Sequence, residues 1–346
     1  MPSIAPYHRD SDNESDTSGS EGYDEETNGQ FAVHSTSDDV EPLQQADFPS
    51  FFNEINGRLY HSSPTCPYPL PVDTPEQERL NDFNDLIYQL IGANYVGPVP
   101  HVLARDPDVK AEVLDLCTGN GRWVMQIASE FPQVLFTGID IVPIATRYPL
   151  PNVNFEIGDI SEEFRWNSAT YDFVHARSIS MSVHNYASIL PEVSRVMRRG
   201  GLYLSGELDL RVFFHPESPE ASNPQEHAPM STQFFQLVDA ALQARGIQTS
   251  IPQIPTYLQD AGTFHNIHSQ IIPIPVGGWH NDLRLQEIGT TLQENLRIFA
   301  ESVKPLLRSA GHSEAYVETL AENFCAELEE VEGLYAAYYI VQAFRS

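Results

Sequence analysis

Cysteine is scarce, with three residues in 346, at positions 66, 117 and 325. That number and spacing exclude a disulfide framework and leave no C-x-x-C pair for a zinc or redox site, so no metal centre is expected. Basic residues are few as well, 19 against 48 acidic ones, for a net charge of −29. A body this acidic repels phosphate backbones and argues against direct nucleic-acid binding. No apolar run reaches the length of a membrane span, and the first residues lack a basic-then-apolar signal pattern. A soluble protein of the cytoplasm and/or nucleus, free of membrane contact, is the expectation.

The charge that is present is uneven. Residues 1–50 hold twelve acids and the single base Arg9. With their Ser- and Gly-rich runs they offer too little apolar surface to offset chain entropy, which predicts a disordered acidic tail over 1–47. Residues 48–346 read as one α/β domain. An N-terminal arm and helix fill 48–110, a core 111–210, two long amphipathic helices 284–331, and a last strand 335–344.

The arm, FPSFFNEINGRLYHSSPTCPYPLP, reads as an irregular segment over the core. Asp73 or Thr74 then caps a helix with Pro75 in its first turn, and Leu80, Phe83, Leu86, Ile87, Leu90 and Ile91 recur at helical steps. From Ala111 the rhythm changes to short apolar runs at 111–116, 134–139, 153–157, 171–175 and 201–207. Helical stretches lie at 122–131 and 185–197, and the second leads into an Arg198-Arg199-Gly200-Gly201 turn. Strands alternating with helices predict right-handed βαβ units and a mainly parallel sheet. Such a sheet binds ligands beyond the carboxyl ends of its strands. A helix is expected over 231–245; the segment FHNIHSQIIPIPVGG reads only as apolar.

The most informative segment runs from Glu112 to Trp123, EVLDLCTGNGRW. A strand ends in a carboxylate, a small-residue turn follows and a helix begins. Gly119 and Gly121 allow close approach of backbone N–H groups to a ligand at the helix N-terminus. A dinucleotide site would need a third small residue at position 124, which is Val124 behind a bulky Trp123, so nicotinamide or flavin binding is disfavoured. The D-x-x-x-G-x-G pattern instead resembles motif I, D-x-G-x-G-x-G, of the class I methyltransferases. Cys117 stands where the first glycine is common, a departure without cost provided the backbone there keeps a negative φ.

Two further strand-end acids fit that resemblance. Asp140 closes LFTGID, 25 residues beyond Asp115, and Asp159 closes NFEIGD 19 residues later. The resemblance implies that Asp140 accepts from the ribose hydroxyls of S-adenosyl-L-methionine and Asp159 from the adenine amino group. Ile141 and Ile160 would pack on the ring faces. Cys117, Thr118, Gly119, Asn120 and Gly121 would form the cofactor turn.

From Arg58 onward the chain resembles the fungal LaeA-type methyltransferases, which include velvet-complex regulators and enzymes of secondary metabolism. The carrying segments are Gly57–Tyr60, Leu70–Asp73 with Glu76 and Glu78–Leu80, Leu114–Gly121, Gly138–Ile144, Asn154–Asp159, Tyr171–Arg177 and Pro275–Trp279. The sequence departs from that pattern at Cys117, at Val142, where serine is frequent, and at Asn84, where histidine is common. The resemblance implies a Rossmann-like, seven-stranded, mainly parallel sheet with helices on both faces and an antiparallel last strand. The helices at 284–331 would be inserted before it as a lid or substrate wall.

In this fold His175 and Arg177, at the end of the fourth core strand, face the methyl donor. His175 is a candidate general base or, alternatively, a histidine that shapes the cofactor pocket. Arg177 is a candidate partner for the cofactor carboxylate or a loop acid, or else a member of a structural ion pair. His184 and His215 are weaker candidates. Tyr60 and Arg58 are candidates for folding over the cofactor, Trp279 for a packing anchor, and Tyr338 and Tyr339 for strand core. The Asn/Asp-Pro-Pro-Tyr signature of amine-directed base and glutamine methyltransferases is missing. The expected function is methyl transfer to a small secondary metabolite. The alternative is a nuclear regulatory methyltransferase or scaffold that controls secondary metabolism through protein partners.

Overall fold

The computed structural model describes residues 32–34, 40–42, 45–104 and 109–346. In chain order the strands are β1 (Ala32–His34), β2 (Val40–Pro42), β3 (Phe52–Ile55), β4 (Arg58–His61), β5 (Glu112–Leu116) and β6 (Leu135–Asp140). They continue with β7 (Val153–Ile157), β8 (Tyr171–Arg177), β9 (Met197–Phe214), β10 (Phe264–Pro275) and β11 (Leu334–Arg345). The first five α-helices are α1 (Thr74–Ile91), α2 (Val99–Leu103), α3 (Arg122–Glu130), α4 (Leu190–Val196) and α5 (Pro224–His227). The others are α6 (Pro229–Ala244), α7 (Ile254–Asp260), α8 (Leu283–Ser309) and α9 (Glu314–Glu330).

Nine strands form one sheet in the order β10-β11-β9-β8-β5-β6-β7-β1-β2. From β7 to β9 every neighbouring pair is parallel. Only β11, among the seven strands from β10 to β7, runs against both neighbours. The chain starts in the centre with β5, runs outward through β6 and β7, then crosses back to β8 on the other side of β5. The loops after β5 and β8 therefore diverge, and a crevice opens at their carboxyl ends.

Residues of each central strand alternate between two cores. Val113, Phe173 and Leu202 face α1, α2, α3, α6, α8 and α9. Leu114, Val174 and Tyr203 face α4 and α7. Helices thus cover both faces, as buried parallel strands require.

Several differences from the sequence reading have local causes. The apolar segment FHNIHSQIIPIPVGG supplies β10. It is an edge strand carrying Pro273 and Pro275, which an edge tolerates because it lacks a second ladder to donate to. β9 reaches far beyond 207 because β11 pairs with it to Phe214, and the 198–201 turn lies within it. The arm contains a β3–β4 hairpin turned by Asn56-Gly57, both at positive φ, the Asn-Gly signal of a two-residue hairpin. Within the expected 1–47 tail, β1 pairs with the β7 edge and β2 with β1, while 1–31, 35–39 and 43–44 lie outside the described residues.

The helix that covers the crevice is fixed at both ends. Asp73 caps α1 by accepting from Glu76 N at 3.4 Å, and Gly92 ends it in the left-handed region. A buried network ties α1 to α8. Arg79 donates to Glu76 and to Asn295 Oδ1 at 3.0 Å, Asn295 donates back to the Arg79 carbonyl at 2.6 Å, and Ser302 donates to Glu76 at 2.7 Å. An ion pair removed from water holds only when its remaining lone pairs are met, and here they are. The pair α8–α9 is thus a wall fastened to α1, inserted between β10 and β11.

Candidate active site

Asp115, the penultimate residue of β5, is 4% exposed. His175, on the adjacent strand β8, meets it through Nδ1 at 2.7 Å. The imidazole stacks on Trp123 at 3.6 Å between centroids and 15° between planes. Burial pushes the His175 pKa below its ordinary value, against the opposing pull of Asp115. His175 is therefore held at one nitrogen and covered on one face.

The turn after Asp115 is held by β6. Thr118 N donates to the Ile139 carbonyl at 2.9 Å and Gly119 N to Asp140 Oδ2 at 2.8 Å. Gly119 and Gly121 are both at positive φ; a Cβ on Gly121 would stand 2.3 Å from the Phe155 ring. Cys117 also takes a positive φ, +54°. The expectation of an ordinary backbone at 117 is thereby corrected: the position keeps the left-handed conformation that suits glycine, at a cost on the order of 1 kcal/mol. Ser178, which follows β8, has φ +57°, so two strained residues flank the crevice.

Asp140 also accepts from Val142 N at 3.3 Å, and burial pushes its pKa up to about 6. Asp159 accepts from Ser161 N at 2.8 Å and from the Thr65 hydroxyl at 2.9 Å. Arg177 donates to the Asn84 side chain rather than to a carboxylate. Asn120 is turned towards α1, donating to Asn81 at 2.7 Å.

Two adjoining cavities, of about 100 and 80 Å3, run along this edge. Asp140, Ile141, Asp159 and Ile160 line the first, Asp115, Thr118, Asn120 and His175 the second, and Cys117, Gly119 and Arg177 both. Of the sequence-predicted set only Gly121 lines neither; its part is to start α3 and admit Phe155. A larger hollow, about 480 Å3, lies elsewhere, between β9, α6 and residues 249–253, and is lined by none of these residues.

The arm contributes different residues from those expected. Arg58 pairs with Asp73 at 2.5 Å and Tyr60 is buried, and neither lines these two cavities; Cys66, Tyr68 and Val72 line the first. They lie in a proline-rich stretch without periodicity, which gives no sequence signal. Gln77 and Leu80 of α1 line both cavities, and Gln77 Oε1 is buried without a hydrogen-bond partner. His184 and His215 lie outside the lining, at 3.3 Å from the Gly246 carbonyl and from Glu217 N respectively. Trp279 donates to the Val276 carbonyl at 2.9 Å and packs edge-on against Tyr335, an anchor. Tyr338 is buried strand core, while Tyr339 is only partly covered.

A third cavity, of about 60 Å3, adjoins these two and shares Tyr68, Leu80 and Ser178 with the first. Its walls include Phe83, Met181, Leu208 and Phe299, together with Arg79 and Glu207.

A parallel sheet with β11 alone reversed among seven strands, and a crevice at the switch in strand order, is the architecture of the class I methyltransferase fold. A methyltransferase-domain family model matches residues 107–262. The secondary metabolism regulator laeA of Coprinopsis cinerea is 25% identical over 296 residues, 84% of this chain and 70% of that protein. The methyltransferase pytC of Aspergillus terreus is 28% identical over 256 residues, 73% of this chain and 74% of its own. The protein-methionine methyltransferase laeA of Emericella nidulans is 27% identical over 233 residues, 67% and 59% of the two chains. The chain is an S-adenosylmethionine-dependent methyltransferase similar to these LaeA-type proteins.

Proposed function

We propose that the paired cavities hold S-adenosylmethionine and that the third receives a small secondary metabolite as methyl acceptor. The observation that carries this reading is the adjoining placement of Asp140 and Asp159 on one cavity and Asp115 with Arg177 on the next. The residues fit the cofactor. Gln77 Oε1 is a buried acceptor without a donor, and Asp140 and Asp159 keep lone pairs beyond those their main-chain and hydroxyl donors use.

In this reading Asp140 accepts from the ribose hydroxyls and Asp159 from the adenine amino group, with Ile141 and Ile160 against the base. Cys117, Thr118, Gly119 and Asn120 line the methionyl end, and the Arg177 guanidinium faces its carboxylate. His175 acts as a positioning residue: it holds the Asp115 carboxylate while Trp123 holds it in turn. The sulfonium methyl is already activated when bound, so the protein's task is to set the acceptor in line and exclude water. Tyr68 and Leu80, shared by the cofactor and acceptor cavities, perform both tasks.

A protein acceptor is the second reading, favoured by the Emericella nidulans relative named a protein-methionine methyltransferase. Regulation through protein partners in the cytoplasm and/or nucleus belongs with it. Trideuteromethyl-labelled S-adenosylmethionine, incubated with the chain and separately with a fungal small-molecule extract and a fungal protein fraction, distinguishes them. Label in the small-molecule fraction supports the first reading, label in protein alone the second. Label in neither overturns both.

A further inference from the structure

Glu207 is the one acid lining the cavity beside the cofactor site, and nothing in the motifs pointed to it. It sits on β9 immediately after Gly206, whose carbonyl accepts from Ser178 N at 2.9 Å. The residue is 1% exposed. The two oxygens accept from Ile179 N at 2.8 Å and Ser180 N at 3.4 Å, in the strained turn that follows β8. No cation among the described residues forms an ion pair with it. Arg79, across the same cavity, is engaged with Glu76 and Asn295. Tyr186, Tyr203 and Tyr338 stand near it, with Arg177 on the neighbouring strand. Burial pushes the Glu207 pKa up to about 7. A buried carboxyl costs several kcal/mol to ionise without a cation, and a bound sulfonium would supply one.

We infer, on the basis of the cofactor site proposed above, that Glu207 faces the transferring methyl and takes up the proton of a protic acceptor such as a hydroxyl or an amine. The acceptor's lone pair forms the new bond to the methyl carbon as the carbon–sulfur bond breaks, leaving its electron pair on sulfur. The acceptor's proton passes to a Glu207 oxygen. A sulfonium cation and a carboxylate anion thereby become a neutral thioether and a neutral acid, so the buried site ends without net charge. After product release the proton returns to solvent. A thioether acceptor has no proton to give and would leave Glu207 idle.

The test compares S-adenosylmethionine with S-adenosylhomocysteine by calorimetric titration between pH 6 and pH 8.5. The two ligands share adenosine, amino and carboxylate groups, so titration of Asp140 cancels in the ratio of their affinities. Only groups that sense the sulfonium remain. The ratio in favour of S-adenosylmethionine is expected to rise at least about fivefold across this range in the wild-type chain. It should be flat in Glu207→Gln and rise again in Glu207→Asp. A pH-independent ratio in the wild type, or an unchanged rise in Glu207→Gln, overturns the assignment of Glu207. Failure of both ligands to bind the wild type overturns the cofactor reading itself and the assignment with it. Melting curves at pH 6 and 8.5 verify that the variants are folded.

Discussion

The two halves of the sheet's carboxyl edge hold their carboxylates in different ways. On the side proposed for adenosine, Asp140 ends β6 and Asp159 follows β7, met by main-chain N–H groups and one hydroxyl, with a cavity beside them. On the side proposed for the acceptor, Glu207 is enclosed by the turn after β8 and by α8 residues such as Phe299. Between them Asp115 is neither open nor free, because His175 and Trp123 lock it in place. The difference separates tasks. Acids that bind a neutral sugar and base need fixed geometry and modest burial, whereas an acid that answers a moving charge gains from being dry.

The central lock is where the largest effect is expected. Trp123 is 3% exposed and carries the imidazole on its face, so Trp123→Ala should lower stability by about 3–5 kcal/mol, read from urea midpoints. A loss under about 1 kcal/mol would show that the lock is loose and the halves are not rigidly joined.

Asp140→Ala should reduce the affinity for both S-adenosylmethionine and S-adenosylhomocysteine by at least about 100-fold, because hydrogen bonds to a charged group contribute about 1.5–3 kcal/mol each. Glu207→Gln should leave S-adenosylhomocysteine within about twofold. Equal losses in the two variants would erase the distinction between the halves.

Acid should act on the two halves at different points. The Asp140 pKa is about 6 when folded, so ligand binding that needs its carboxylate weakens as pH falls through 6, by about tenfold per unit below it. Glu207 is raised to about 7 from an ordinary 4.5. The folded state therefore favours its protonated form, and the stability this gives is full below pH 4.5 and is lost as pH rises through 7. Glu207→Gln should stabilise the chain at pH 8 by about 1–3 kcal/mol and change it little at pH 4.5, which thermal unfolding at the two pH values would show. Destabilisation at pH 8 would mean that Glu207 serves mainly to hold the turn after β8.

The smallest effect is expected at Cys117. Glycine there removes left-handed strain but adds chain entropy, so Cys117→Gly should shift stability by less than about 1 kcal/mol and retain ligand binding. A large loss would show that the thiol itself is needed on the cavity wall.

The same division decides what could be read from the chain. Asp115, Asp140 and Asp159 follow short apolar strands, and strand length plus turn chemistry places their side chains at the sheet edge, so local pattern suffices. The helices α8 and α9 together fill the 284–331 stretch to within a residue, because its amphipathic pattern is local; Asp282 and Ser313 cap them. Glu207 lies within an apolar strand that reads as ending there, and its surroundings come from α1, α8 and the β8 turn, far away in sequence. Tyr68 and Gln77 were hidden for related reasons, one in an aperiodic arm and the other on the polar side of an amphipathic helix. His175 was found by its position at a strand end, but its partner and its stacking depend on contacts across strands and on α3. β10, with its two prolines and exposed residues, gave no alternating pattern.

The central claim is that the crevice ending β5, β6 and β7 binds S-adenosylmethionine through Asp140. Calorimetric titration of S-adenosylmethionine into the full chain at pH 8, beside Asp140→Ala, tests it most directly. Saturable one-to-one micromolar binding that is lost in the variant is the result predicted. Absence of binding to the wild-type chain, or equal binding by the variant, would contradict it.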